Sequence, residues 1–409
     1  MFSAISGLRS QQEYLDIIGN NIANVNTTAF KANRATFAET LWQTSRTGSA
    51  PQTDRGGINP IQIGLGTTLA GSDPVFSQGD LRSTGKISDL AIEGNGFFVY
   101  ADGSRNLYSR DGSLDIGVDG TLLNPATGLR VMGWTADATG AIDTTQPLGT
   151  LTIPVGSGIA ATQTGEVAFG GNLDSNTAAA GTVQTTMEVY DSLGNSHTIN
   201  LTFTKSATSN AWTWSATGTG VTCTPGSTNL AFTTSGALDT AASGDAGLPT
   251  LQLDFADTGI EDPTIQLDLS SLTQFADTSG VNVTSRDGNP AGTFVSCSID
   301  AAGVVTATYS NGRMVEVGQL AMADFRNPAG LLRAGNNLYE LSANSGDPLV
   351  GAPGTQGLGQ IRAGFLEMSN VDLAQQFTNM IVASRGFQAN SRVIGAADEM
   401  LQELVNLRR

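Results

Sequence analysis

The chain is poor in the residues that most enzyme chemistry requires. It has one histidine and two cysteines in 409 residues, and its only lysines are Lys31, Lys86 and Lys205. Cys223 and Cys297 have neither metal-ligand spacing nor a redox CxxC, so they read as free or buried thiols rather than a disulfide framework. Charged residues make up 14% of the chain, well below the roughly 25% of ordinary soluble domains. So few charges on so long a chain imply that much of its surface is covered by something else. With a net charge of −17 and no basic stripe, nothing neutralises a phosphate backbone or an anionic bilayer, which argues against nucleic acid and membrane as partners. No apolar run approaches the roughly 20 residues of a spanning helix. The N-terminus has no basic start, apolar stretch and cleavage site, so a signal-peptide route is not expected.

What the chain does have is glycine, 50 residues of it, and a sharp contrast between its ends and its middle. Near the N-terminus Leu8, Leu15 and Ile22 recur every seventh residue, with Ile18 and Val25 at the alternate position. Near the C-terminus Leu373, Met380, Phe387, Ile394 and Leu401 do the same, with Ala383, Ala397 and Leu404 at the intervening heptad position. Both are two-position heptad seams. Ser369 or Asn370 is placed to cap the second helix, with Asp372 near the positive end of its dipole. Because the seams flank the body, the simplest arrangement pairs first helix with last and makes everything between them an insertion. Neither helix is long enough to be secure alone in water, so both ends are expected to order on assembly.

Between the ends the pattern is β. Residues 31–85 turn to Gly, Thr, Ser and Pro, as in "TSRTGSAPQTDRGGINP", and read as an extended connector. Asp-Gly pairs at Asp102, Asp111 and Asp119 predict hairpin turns, and "GTLLNPATGLRVMGW" alternates as hairpin strands do. The same texture returns in "GTFVSCSIDAAGVVTATYSNGRMVEVGQLAMADF", so the two stretches are placed in one domain. Residues 151–289 hold thirteen Asp and Glu against Lys205 and Arg286, which predicts a solvent-facing acidic domain. Within it "TTMEVYDSLGNSHTINLTFTK" reads as two strands about a turn, followed by a strand at "AWTWSA".

Candidate chemistry is thin. His197 has Asp191 and Ser192 nearby, but neighbours in one hairpin turn rarely form a triad, and Asp, Ser, Gly and Asn are turn residues. Asp111, Asp115 and Asp119 lack the alternating spacing of a calcium loop. "GLGTTLAG" and "GLGQIRAG" do not follow a strand and open a helix, as phosphate cradling requires, and read as loops. No metal, cofactor or catalytic group is expected.

The asparagines of "IGNNIANVNTTAFK" stand apart. Asn20 and Asn24 lie about 160–180° from the apolar seam at 100° per residue, a neutral face suited to hydrogen bonds with other protein or a confined channel; the competing reading is a helix end fraying into a loop.

"LDIIGNNIANVNTTAFKANRATF" and "EMSNVDLAQQFTNMIVASRGFQANSRVIGAADEMLQELVNLR" resemble the two ends of the bacterial flagellar rod, hook and hook-associated proteins. "DLAIEGNGFFVY" and "YSRDGSLDIGVDGTLLNPATGLRVMGW" extend the resemblance into the inner β region. Ala29 departs from it, since the family commonly has Gly before Phe-Lys. Length and the large insertion look like the hook branch rather than the distal rod, although "FAETLWQTSRTGSAPQTDRGGINPIQIGLGT" is similar to a rod connector. The resemblance implies a structural, non-enzymatic subunit, exported by the flagellar type III apparatus without a cleaved signal. It would self-assemble into a curved helical tube, meeting the distal rod protein, the hook cap and the hook–filament junction proteins. The competing class is a secreted β-rich enzyme or adhesin.

The expected fold is mainly β: an inner β domain (86–150 with 290–367) and an outer acidic one (151–289), nested between terminal helices (1–30 with 368–409) that pair as a coiled coil. The expected assembly interface is Leu8, Leu15, Ile18, Asn20, Ile22, Asn24 and Val25 of the first helix, with Leu373, Met380, Phe387, Ile394, Leu401 and Leu404 of the last.

Overall fold

The computed structural model describes residues 2–406 except 52–53, 104, 138–139, 244–247 and 256–261, and the side chain of residue 404 is not described. Among the described residues there are two α-helices, α1 (Phe2–Ala23) and α2 (Leu373–Asn406), and the rest is dominated by strands. The chain divides into two compact units. One comprises Met1–Ile153, Cys297–Thr306 and Glu316–Arg409, the other Pro154–Ser296 and Ala307–Val315.

In the first unit α1 and α2 pack against each other in opposite directions. Gly7 faces Asn390, Gly386 faces Gln11, and Asn21 reaches Gln376 at 3.3 Å, one residue down α1 for each residue up α2. Glycine at 7 and 386 lets the axes approach where a larger side chain would meet the facing amide.

Residues 31–85 are not one extended run. Strand Asn33–Glu39 pairs antiparallel with Thr67–Pro74, Trp42–Arg46 pairs with Ile61–Gly64, and a bridge joins Ser49 to Ile58. The stretch is a long hairpin arm. Its β-branched and aromatic residues pair across the ribbon, while the Gly- and Pro-rich sequence that suggested a linker is confined towards the tip. "GLGTTLAG" and "GLGQIRAG", read as loops, likewise supply strands, Thr67–Pro74 and Gln360–Ala363. Gly66, at φ 128°, explains the first glycine cluster: a Cβ there would fall 1.9 Å from the Ser6 hydroxyl oxygen of α1.

The β region of the first unit is antiparallel. Phe97–Asp102 pairs with Arg105–Ser109, with Arg130–Thr135 and with Met322–Asp324, while Gly133–Thr135 pairs with Gly318–Leu320. The two stretches of like texture therefore share one sheet. Edge-to-face aromatic contacts fill its core, with ring centroids 5.6 Å apart for Phe97–Phe325 and 4.8 Å for Tyr108–Phe325. Asp102-Gly103 and Asp119-Gly120 turn hairpins as expected, both glycines having positive φ. Asp111-Gly112 does not: Gly112 runs beside Leu90, whose backbone N–H donates to its carbonyl, and there is no room for a Cβ.

The second unit has a four-stranded sheet (Thr182–Tyr190, Ser196–Lys205, Ala211–Gly218, Asn229–Ala231) and a five-stranded one that includes Thr250–Phe255 and Thr264–Thr273. Buried residues alternate along the strands, and Phe203, Trp212, Leu253 and Leu267 join one apolar core drawn from both sheets. The hairpin and following strand read from "TTMEVYDSLGNSHTINLTFTK" and "AWTWSA" are present residue for residue.

Candidate assembly interface

The terminal helices are anchored at one foot by a polar joint. Lys31 and Glu367 are fully buried as side chains, with Nζ 2.6 Å from Oε1, and Arg110 reaches the other carboxylate oxygen at 3.4 Å. Lys31 also donates to the Ser77 carbonyl, and the Gly79 N–H donates to Glu367. Burial pulls the Lys31 pKa below the usual lysine value. Attraction to Glu367 opposes that pull, and repulsion from Arg110 adds to it. The turn between α1 and Lys31 is gripped as well: Asn337 donates to the Thr28 carbonyl, and Arg333 donates to the Lys31 carbonyl while lying 5.4 Å over the Phe30 ring. Ala29 sits here, buried and at φ 57°, its N–H donating to the Glu367 carbonyl.

Asparagines complete the joint. Asn21, 1% exposed, donates to the Asn33 carbonyl and accepts from the Asn33 N–H. Asn370 accepts from the Ala32 N–H and donates to the Val75 and Ser77 carbonyls. Asn370 is thus not the cap of α2, and the Ser369 hydroxyl has no partner among the described residues. Asp372 is the cap, accepting from the N–H groups of Ala374 and Gln375, because only the residue directly before the first turn reaches those donors. Asn20 and Asn24 serve the end of α1: Asn24 donates to the Asn20 carbonyl and side chain, and Thr27 donates to Asn24.

The expected seam divides. In α1, Ile18 is buried and Leu8, Leu15 and Ile22 are half-buried, while Val25 lies in the turn after the helix, also half-buried. Among the described side chains of α2 only Ala383 is fully buried; Met380 and Ile394 are half-buried, while Leu373 (40%), Phe387 (39%) and Leu401 (50%) are exposed. The Leu404 side chain lies outside the described residues. Phe377, Ile381, Val382 and Val393 are also exposed, so the pairing inside one chain uses the small and polar side of α2 and leaves its large apolar residues open. Sequence reading missed Asn21, Arg110, Lys31 and Glu367 as a set. Asn21 carried a signal, being a polar residue three places after Ile18 on the apolar side of α1.

Groups weighed for other chemistry serve turns. Asp191 accepts from the N–H groups of Leu193 and Asn195, from the Asn195 amide and from His197 Nε2 at 3.1 Å. The turn does bring histidine and carboxylate together, but the carboxylate is occupied in holding the turn. Burial pushes the Asp191 pKa up, and these donors outweigh it, holding it at about 2. Asp119 accepts from Thr121 and Arg130, and Asp111 from Ser113 and Asn124. Burial raises both cysteine thiols above their ordinary value, which leaves them poor nucleophiles.

Known proteins are similar in sequence to this chain along its whole length. Hook protein FlgE of Borreliella burgdorferi is 39% identical, covering 100% of this chain and 99% of that protein. This chain belongs to the flagellar hook protein family. Hook protein FlgE of Treponema pallidum is 37% identical over 100% of this chain and 99% of its own length, whereas the rod protein FlgG of Bacillus subtilis is 29% identical. Family models for hook and rod proteins match in three places: "Flagella basal body rod protein" at 1–31, "Flagellar basal body protein FlaE D2 domain" at 157–289, and "Flagellar basal body rod FlgEFG protein C-terminal" at 362–407. The solved hook protein FlgE2 of Helicobacter pylori is 15% identical, covering 70% of this chain with a TM-score of 0.43.

Proposed function

We propose that the chain is a structural subunit of the bacterial flagellar hook, polymerising into a curved tube that transmits torque through a bend. The observation that carries this is α2 itself: a helix of 34 residues with a single fully buried side chain among those described, and a row of large apolar residues facing outward. Such a face is stable only when neighbours cover it. A subunit that meets its neighbours through unlike surfaces adds without closing, which generates a helical filament. The polar joint around Glu367 supports a rigid link between helices and β region, as torque transmission requires. By family resemblance, the ends of such a tube meet the distal rod protein on one side and the cap and junction proteins on the other, after export through the flagellar type III apparatus.

Electron microscopy of the purified chain, beside a version lacking both terminal segments, tests this. Curved tubes from the full chain alone are expected. Straight tubes transfer the assignment to the distal rod, which the similarity of the arm to rod connectors also favours. Tubes from the truncated version remove the helices from the assembly role.

A further inference from the structure

The antiparallel register of the helices leaves one of them longer than its partner. Following the pairs Gly7–Asn390, Gln11–Gly386 and Asn21–Gln376 to the start of α1, Phe2 comes level with Gly395, and the rest of α2 has no helix beside it among the described residues of its own chain. This overhang, residues 396–406, is about 16 Å long at 1.5 Å per residue. It exposes Met400 (64%), Leu401 (50%) and Val405 (71%).

A matching groove lies along the first half of α1. The hairpin arm is strapped to that helix by Ser10 donating to the Thr67 carbonyl and by the Thr67 N–H donating to Ser6. The two elements leave between them an open groove of about 710 Å³, lined by Phe2, Ile5, Arg9 and Glu13 on the helix and by Thr40 and Leu65 on the arm. Phe2 and Ile5 are 81% and 49% exposed. The helical floor, Phe2 to Glu13, runs about 17 Å, the length of the overhang.

We propose that this groove seats the overhanging end of α2 from a second copy of the chain, an inference that rests on the hook reading above. Three observations select that occupant. The lengths match. The contact continues between copies the antiparallel α1–α2 packing already made within one, with the neighbour shifted along the helices by about the overhang length. Both surfaces are apolar: the overhang exposes Met400, Leu401 and Val405, and the groove exposes Phe2, Ile5 and Leu65, so each would cover the other. Knob and groove are different surfaces of one chain, so the contact repeats without closing.

The test uses hooks isolated from cells producing the full chain, with Cys223→Ser and Cys297→Ser as background and Ile5→Cys paired with Leu401→Cys. Within one chain Ile5 is level with residue 392, about 14 Å along the axis from residue 401, too far for a disulfide. Oxidation is therefore expected to give a ladder of covalent dimers, trimers and longer chains, while each single cysteine variant gives no ladder. Ser6→Cys with Met400→Cys is a second pair, in case the first perturbs assembly. Hooks that contain these chains and give no ladder from either pair overturn the seat and leave the hook reading intact. Isolated hooks that lack the unmodified chain overturn the hook reading and the seat with it.

Discussion

At the scale of single residues, the joint below the helices is the most exacting part of the molecule. Two cations, Lys31 and Arg110, share one buried carboxylate, Glu367. Glu367→Gln leaves both charges without a counter-charge in a site that excludes water. It is expected to destabilise the first unit by about 3 kcal/mol or more, seen as a lower urea midpoint with the second unit's transition unmoved. Ala29 is a milder case. Relief of its left-handed backbone by glycine is worth about 1–2 kcal/mol, offset by about 0.5–1 kcal/mol of chain entropy and by loss of a buried methyl. Ala29→Gly should therefore melt close to wild type, whereas Ala29→Val, β-branched at positive φ, should cost about 2 kcal/mol or more. Asp191 sets a pH window. Its folded pKa of about 2 lies below the unfolded value, so its contribution is present above pH of about 4 and is lost as pH falls towards 2. Asp191→Asn should lower the stability of the second unit by about 2 kcal/mol at neutral pH, with the gap closing in acid; a gap unchanged at low pH would refute the assignment.

At the scale of elements, the two helices take different parts. Ile18 is buried against its own chain and Phe387 is partly open, so one kind of substitution should have two outcomes. Ile18→Asp should loosen the helix pair even in the monomer, because a charge is forced into an apolar contact. Phe387→Asp should leave monomer melting unchanged and stop polymerisation. Circular dichroism and sedimentation separate the two, and normal tubes from Phe387→Asp would remove the open face of α2 from the assembly role. The arm shows how composition misleads: Gly, Thr, Ser and Pro suggested a passive linker, but paired strands bind it to α1.

At the scale of the whole molecule, the second unit has its own sandwich core, built from residues such as Phe203, Trp212 and Leu267, and it holds much of the acidic charge. A hook must let subunits shift against each other as it turns, and polar, weakly adhesive surfaces suit that motion. Deleting 154–296 and rejoining the ends is expected to leave tubes that still assemble but with altered curvature or bending stiffness, measured by electron microscopy. Failure of the tube to form would place the unit in the assembly core.

The sequence by itself determined the terminal helices, the β body, the hairpins of the acidic region and the family, because each rests on local periodicity, turn chemistry or long contiguous motifs. Tertiary structure alone decided which side of α2 pairs with α1, that Asp372 rather than Asn370 caps α2, that residues 31–85 fold back as an arm, and that Lys31, Arg110 and Glu367 meet. A heptad stripe states that a face is apolar but not whether its own chain or a neighbour covers it. A lone lysine, arginine and glutamate separated by tens to hundreds of positions carry no common signal until the chain brings them together.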